Sequence, residues 1–322
     1  MSTHKRDEEG AAGGGEDGAP KRAKGPAGAS EADLATMDGW MTAEAFEYPQ
    51  ELCLHDLFYA QARKTPAAVA IVDGDHQYTY AEVDDLSEKL ARMLVEAGAG
   101  PDKVVGIFME RSAEYVVAYV AILKAGAAYM PLELVYPAAL LERAVGSTEA
   151  VAVITKAKHA PKLPGGARLF EVEKRLWLKG VSPEWHAAAD ALPPLAVRPV
   201  DGGPTGEGVT GPDHLAYVVM SSGTTGQPKG ICCPHRGSVH SYTHRFENYP
   251  FNEDGGGRVG TGVFFVWELL RPLLRGATNV IIPDQVLFDP EVRGGERRAG
   301  SGRAGGEEVK EGQRRGDCRG FQ

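Results

Sequence analysis

The sequence predicts an α/β fold of alternating βα units with parallel sheets, and three observations predict it. Short apolar runs rich in β-branched residues recur at 69–72, 104–109, 127–132, 151–155 and 215–220, as buried strands do. Segments with apolar residues at helical spacing lie between them, bounded by capping residues and glycines. Strands that alternate with helices in this way need right-handed crossovers, which place the strands parallel.

Taken in order, residues 1–50 begin with charge and become rich in Gly and Ala. Such a segment buries too little apolar surface to offset its ordering entropy, so a disordered tail is expected. Lys21, Arg22 and Lys24 within it read as a solvated charge cluster. Order is expected from about Leu52. Leu54, Leu57 and Phe58 fall at helical spacing before Thr65 and Pro66 stop the run. Residues 69–72 then read as a strand, Asp73-Gly74 as a tight turn and 76–80 as the hairpin partner.

Thr79 and Glu82 form a capping box for a helix whose buried stripe is Val83, Leu86, Leu90 and Leu94, closed by Gly98. After the strand at 104–109, Ser112 caps a helix with Val116, Val120 and Leu123 on one face and Gly126 at its end. A strand at 127–132, a helix after Pro137 and a strand at 151–155 follow. From His159 to Pro212 the chain is rich in Pro and Gly, and apart from a short strand at 169–172 it reads as loop or insertion. Val266, Leu269, Leu270, Leu273 and Leu274 form a helical stripe closed by Gly276, before a strand at 280–282. Residues 291–322 hold nine Gly and eight Lys or Arg with almost no large apolar side chain. That composition predicts a second disordered tail and leaves residues 51–290 as the folded domain.

At 322 residues the chain has room for a sizeable core. A net charge of −9 argues against general nucleic-acid binding. No apolar run approaches a membrane span, and the N-terminus lacks a secretory signal, so a cytoplasmic location is expected. The four cysteines, Cys53, Cys232, Cys233 and Cys318, show no metal-ligand spacing and read as reduced thiols; no metal site is expected.

The most informative stretch follows the run at 215–220. Ser221, Ser222, Thr224 and Thr225 supply hydroxyls, Gly223, Gly226 and Gly230 supply backbone freedom, and Lys229 supplies one positive charge. Glycines let successive N–H groups turn toward one anion, and the hydroxyls donate to phosphate oxygens. The Walker loop does not fit, because Gly230 stands where its magnesium-binding hydroxyl belongs and Pro228 blocks a helix through Lys229. From Tyr217 to Gly230 the stretch instead resembles the signature of the adenylate-forming enzymes, Tyr-x-x-x-[Thr/Ser]-Ser-Gly-[Ser/Thr]-Thr-Gly-x-Pro-Lys-Gly, with every slot filled. The runs Tyr78-Thr79-Tyr80-Ala81-Glu82-Val83, Leu123-Lys124-Ala125-Gly126 and Val266-Trp267-Glu268 are similar to core motifs of nonribosomal peptide synthetase adenylation domains.

The resemblance implies a partial large N-terminal subdomain of an adenylate-forming enzyme. Its expected substrates are Mg2+–ATP and a small carboxylate, and its expected partner is a phosphopantetheinyl carrier. Ser221, Ser222, Gly223, Thr224, Thr225, Gly226 and Lys229 would hold the phosphates. Val263 and Trp267 would line the acyl pocket. Amino-acid-activating members carry Asp in the slot of Val263, where it pairs with the substrate's α-ammonium, so an acid without that group is equally expected. The family's later adenine, ribose and catalytic-lysine motifs are not found in this sequence, which makes a non-catalytic fragment the alternative. His235 is read as capping or packing. Arg236 is read either as a phosphate attractant or as a solvated surface charge.

Overall fold

The computed structural model describes residue 30 and residues 46–172, 183–195, 209–221, 229–251, 257–262 and 266–288. The expected tails lie almost wholly outside these residues. Every element below belongs to one compact unit that begins at Tyr48.

Helix α1 (Leu54–Lys64) leads into β1 (Val69–Asp73), which returns antiparallel as β2 (His76–Thr79). Helix α2 (Tyr80–Glu96) starts at Tyr80, one residue inside the expected hairpin strand. The reason is the capping box: Thr79 Oγ1 accepts from Glu82 N–H, and the Glu82 carboxylate accepts from Thr79 N–H at 2.8 Å. Val83, Leu86, Leu90 and Leu94 are buried along its inner face.

Strand β3 (Val104–Phe108), helix α3 (Ala113–Lys124), strand β4 (Ala128–Pro131), helix α4 (Ala138–Ser147) and strand β5 (Ala152–Thr155) continue the βα alternation. Ser112 caps α3 by accepting from Tyr115 N–H. All twelve residues of α3 are buried, not one face of it. Its sequence is apolar all round, and the helix touches β3 and β4 of one sheet and β1 of the other, so it runs through the centre of the core. Gly126 ends α3 at φ +78, and a Cβ there would stand 2.2 Å from Thr210 Oγ1. No other residue type fits that position.

Between His159 and Pro212 the structure departs from the expected loop. Besides β6 (Leu169–Glu171) it contains a helix, α5 (Pro183–Asp190), packed on α2 with Ala189 fully buried. Proline at the helix start, Glu184 in the first turn and the alanine run 187–189 favour this helix. The Pro and Gly content on either side obscured it.

The second half adds β7 (Leu215–Ser221), β8 (Lys229–Pro234), α6 (His235–Asn248), β9 (Arg258–Thr261), α7 (Val266–Leu273), β10 (Thr278–Ile281) and α8 (Asp284–Phe288). Two sheets result. The larger has the order β6-β5-β3-β4-β7-β8, parallel except for the antiparallel edge strand β8. The smaller has the order β2-β1-β10-β9. In β3, Val105 and Ile107 face the main core with α2 and α3, while Val104 and Phe108 face α4 through Leu141, Ala144 and Val145. The larger sheet is therefore covered on both faces, as a parallel sheet must be. No helix among the described residues is long and apolar enough to cross a membrane.

Candidate functional site

The site is organised by the β7–β8 hairpin. Strand β7 is held at the centre by Ala216, Tyr217 and Val218, all buried. It pairs in parallel with β4, Tyr129 opposite Tyr217. Strand β8 returns along it, with Ser221 opposite Lys229 at one end and Leu215 opposite Pro234 at the other. Ser221 Oγ donates to Lys229 O at 3.2 Å and closes the base of the intervening loop. Ser221 lies at the carboxyl end of a parallel strand, where open α/β sheets bind ligands. Lys229 is exposed there, at the foot of the loop.

Of the residues expected to hold phosphate, Ser221 and Lys229 are thus brought together. Ser222, Gly223, Thr224, Thr225 and Gly226 lie outside the described residues, as does Val263. The backbone of Trp267 is in the first turn of α7, and its side chain is likewise outside what is described.

The same end of the sheet carries a charged cluster after β3 and β5. Glu110 accepts from Lys156 Nζ at 2.8 Å, lies 2.9 Å from Lys158 Nζ, and bonds His159 Nε2 at 2.7 Å. Burial by itself would raise the Glu110 carboxyl, but the hydrogen bonds from Lys156 and Lys158 outweigh it and hold the group well below the ordinary carboxylate range. Next to it, Arg111 joins the two sheets. Its Nε donates to Gly262 O at 2.7 Å, just after β9, and its Nη1 pairs with the Asp284 carboxylate just after β10. Arg111 therefore fixes the backbone that enters the segment of Val263. No neighbouring residue in the sequence signals this role, since its partners are 151 and 173 residues away.

The other end of the hairpin is closed. His235 is fully buried, its Nδ1 accepts from Leu54 N–H at 3.2 Å, and burial keeps the ring neutral, its pKa driven well below the usual histidine value. It packs, as expected. Arg236 forms a two-point ion pair with Asp213, at 2.6 and 2.9 Å, and donates to Gln50 O at 3.1 Å. Ser221 is at the opposite end of the seven-residue strand β7, about 20 Å of extended chain away. Arg236 thus belongs to the end of the hairpin away from Ser221 and Lys229.

Comparison with known proteins agrees with this geometry. The profile of a family described as AMP-binding enzyme matches residues 58–294. Over 237 residues the chain is 39% identical to the glycine betaine reductase ATRR of Emericella nidulans, covering 74% of this chain and 17% of that protein. It is 32% identical to a dimodular nonribosomal peptide synthase of Bacillus subtilis, covering 74% and 10%. It is 35% identical to the N-(5-amino-5-carboxypentanoyl)-L-cysteinyl-D-valine synthase of Streptomyces clavuligerus, covering 82% and 32%. Among solved structures, the nonribosomal peptide synthetase FmoA3 superposes with a TM-score of 0.65 at 27% identity, over 82% of this chain and 26% of that one. The chain therefore spans a third or less of the length of these relatives. With the strand–loop–strand signature in place at the carboxyl edge of a parallel sheet, the chain belongs to the AMP-binding enzyme family, as a nonribosomal-peptide-synthetase-like adenylation domain over its matched part.

Proposed function

We propose that this chain is the phosphate-holding part of an enzyme that activates a carboxylate with ATP. The observation that carries the reading is the hairpin base, where Ser221 and an exposed Lys229 flank the complete signature loop at the carboxyl edge of the sheet. In the proposed reaction a carboxylate oxygen attacks the α-phosphorus of ATP. An acyl–phosphate bond forms, the bond between the α-phosphorus and the bridging oxygen breaks, and pyrophosphate leaves with the electron pair. No protein nucleophile is needed. The hydroxyls and N–H groups of residues 221–226, with Lys229, would neutralise charge that grows on the leaving group. Mg2+ carried by the nucleotide would share that charge, supported by a hydroxyl of Thr224 or Thr225. A phosphopantetheine thiol is the proposed acceptor of the acyl group.

The proposed substrate class is a carboxylic acid without a primary α-ammonium. Val263 offers that group no ion pair, and an unpaired ammonium is costly to bury. Phe264, Phe265 and Trp267 around it would suit a quaternary ammonium, which aromatic faces attract. The similarity to a protein named as a glycine betaine reductase supports the same class.

The test is carboxylate-dependent exchange of labelled pyrophosphate into ATP, comparing glycine betaine with unmodified amino acids. Exchange with betaine and none with glycine is the expected result. Preference for unmodified amino acids would overturn the substrate class. Nucleotide binding without exchange from any carboxylate would favour a second reading, a non-catalytic nucleotide-binding protein.

A further inference from the structure

We propose that Cys53, His55 and His235 form a binding site for one transition-metal ion, zinc being the fitting occupant, at the closed end of the β7–β8 hairpin. The Cys53 Sγ and one ring nitrogen of each histidine lie within 4.8 Å of one another. All three residues are buried. One thiolate and two imidazoles are a donor set for zinc or another borderline ion, and a poor one for Mg2+ or Ca2+, which take oxygen.

The ligands converge because two elements begin at the same place. Cys53 precedes the first residue of α1, and His55 is in its first turn. His235 opens α6, directly after the end of β8. The bond from Leu54 N–H to His235 Nδ1 joins the two starts across 181 residues of sequence. The two imidazoles meet edge to face, their centroids 5.4 Å apart at 82°.

A second observation points to a ligand. His235 Nε2 is buried with no hydrogen-bond partner among the described residues, in a fully buried ring. Since Nδ1 accepts from Leu54, a neutral ring carries its proton on Nε2, where the donor meets no acceptor. Buried polar atoms left in this state are rare. A metal ion on Nε2 moves the ring proton to Nδ1, and the long bond from Leu54 N–H is given up for the metal bond.

Zinc at its usual bond lengths draws its ligand atoms to roughly 3.3–3.8 Å apart. The three atoms need to close by about an ångström, which side-chain rotation supplies. Cys53 Sγ lies 3.6 Å from Thr210 O, to which its S–H donates, and binding releases that proton, one per ion. A cavity of about 430 Å³ lined by His55, Asp56 and Thr210 gives the ion a route in and room for a water as fourth ligand. The centre stands at the end of β7 away from the phosphate loop, so it would staple α1 to α6 and take no part in the chemistry.

The full chain, stripped with a chelator and kept reduced, is titrated with Co2+. The expected result is one equivalent bound, with a near-ultraviolet thiolate-to-cobalt charge-transfer band that Zn2+ abolishes. Cys53→Ser keeps a residue favoured at helix starts and removes the thiolate. In that variant the band disappears, while the far-ultraviolet circular dichroism stays unchanged. The zinc absorption edge of the unsubstituted chain requires no variant and should show one sulfur with two imidazoles. Sub-stoichiometric binding, a shell without sulfur, or a band that persists in Cys53→Ser would overturn the site.

Discussion

The two ends of the β7–β8 hairpin contrast in almost every respect. At the loop end, Ser221 bonds Lys229 O, and Lys229 is exposed. At the far end, His235 is sealed between α1 and α6, and Arg236 is bound to Asp213 and the Gln50 carbonyl. One hairpin thus joins the proposed anion site to a buried anchor. On that proposal the chemistry sits at the open end and the stability at the closed one, so the two can be altered separately.

The contrast can be broken most forcefully at the anchor. His235→Ala removes a fully buried ring and the acceptor of Leu54 N–H, and should destabilise the fold by about 2–4 kcal/mol in denaturant unfolding. A change within error would show that the closed end is no anchor.

A pH series sharpens the picture at the open end. Glu110 has its folded pKa depressed, so its contribution is present above the unfolded carboxylate value, near 4.3, and is lost as pH falls from there through the lower folded value. Glu110→Gln should therefore be less stable than the parent at neutral pH, with the gap closing in acid. A gap that is constant with pH would show that the ion cluster contributes nothing to stability.

Smaller effects test the frame. Ser112→Ala deletes the cap of the central helix and should cost about 1 kcal/mol by the same unfolding measurement. Arg236→Ala breaks an exposed ion pair and one exposed bond to the Gln50 carbonyl, and should leave both the unfolding midpoint and nucleotide affinity nearly unchanged. Loss of nucleotide affinity in that variant would return Arg236 to the phosphate site.

What could be read from sequence divides along the same line. Thr79 and Glu82, Ser112, and Gly98 and Gly126 act on neighbours three or four residues away, and the structure places each as the local rules require. The signature from Tyr217 to Gly230 is local too, which is why the family was legible. Three features were not. The burial of α3 on all sides depends on a second sheet that periodicity cannot reveal. The α5 helix has its own signal in Pro183, Glu184 and the alanines, but it is embedded in a Pro- and Gly-rich stretch. The convergence of His55 and His235 requires two helix starts to meet in space, and no spacing rule spans that separation.

The central claim is that the loop between Ser221 and Lys229 holds the phosphates of ATP independently of what holds the fold. It is tested most directly by calorimetric titration of Mg2+–ATP into the parent chain and into Lys229→Ala, with thermal midpoints recorded on the same samples. The expected result is a loss of affinity on the order of tenfold or more with an unchanged midpoint, because the side chain is exposed. Equal affinity in the two proteins would contradict the claim.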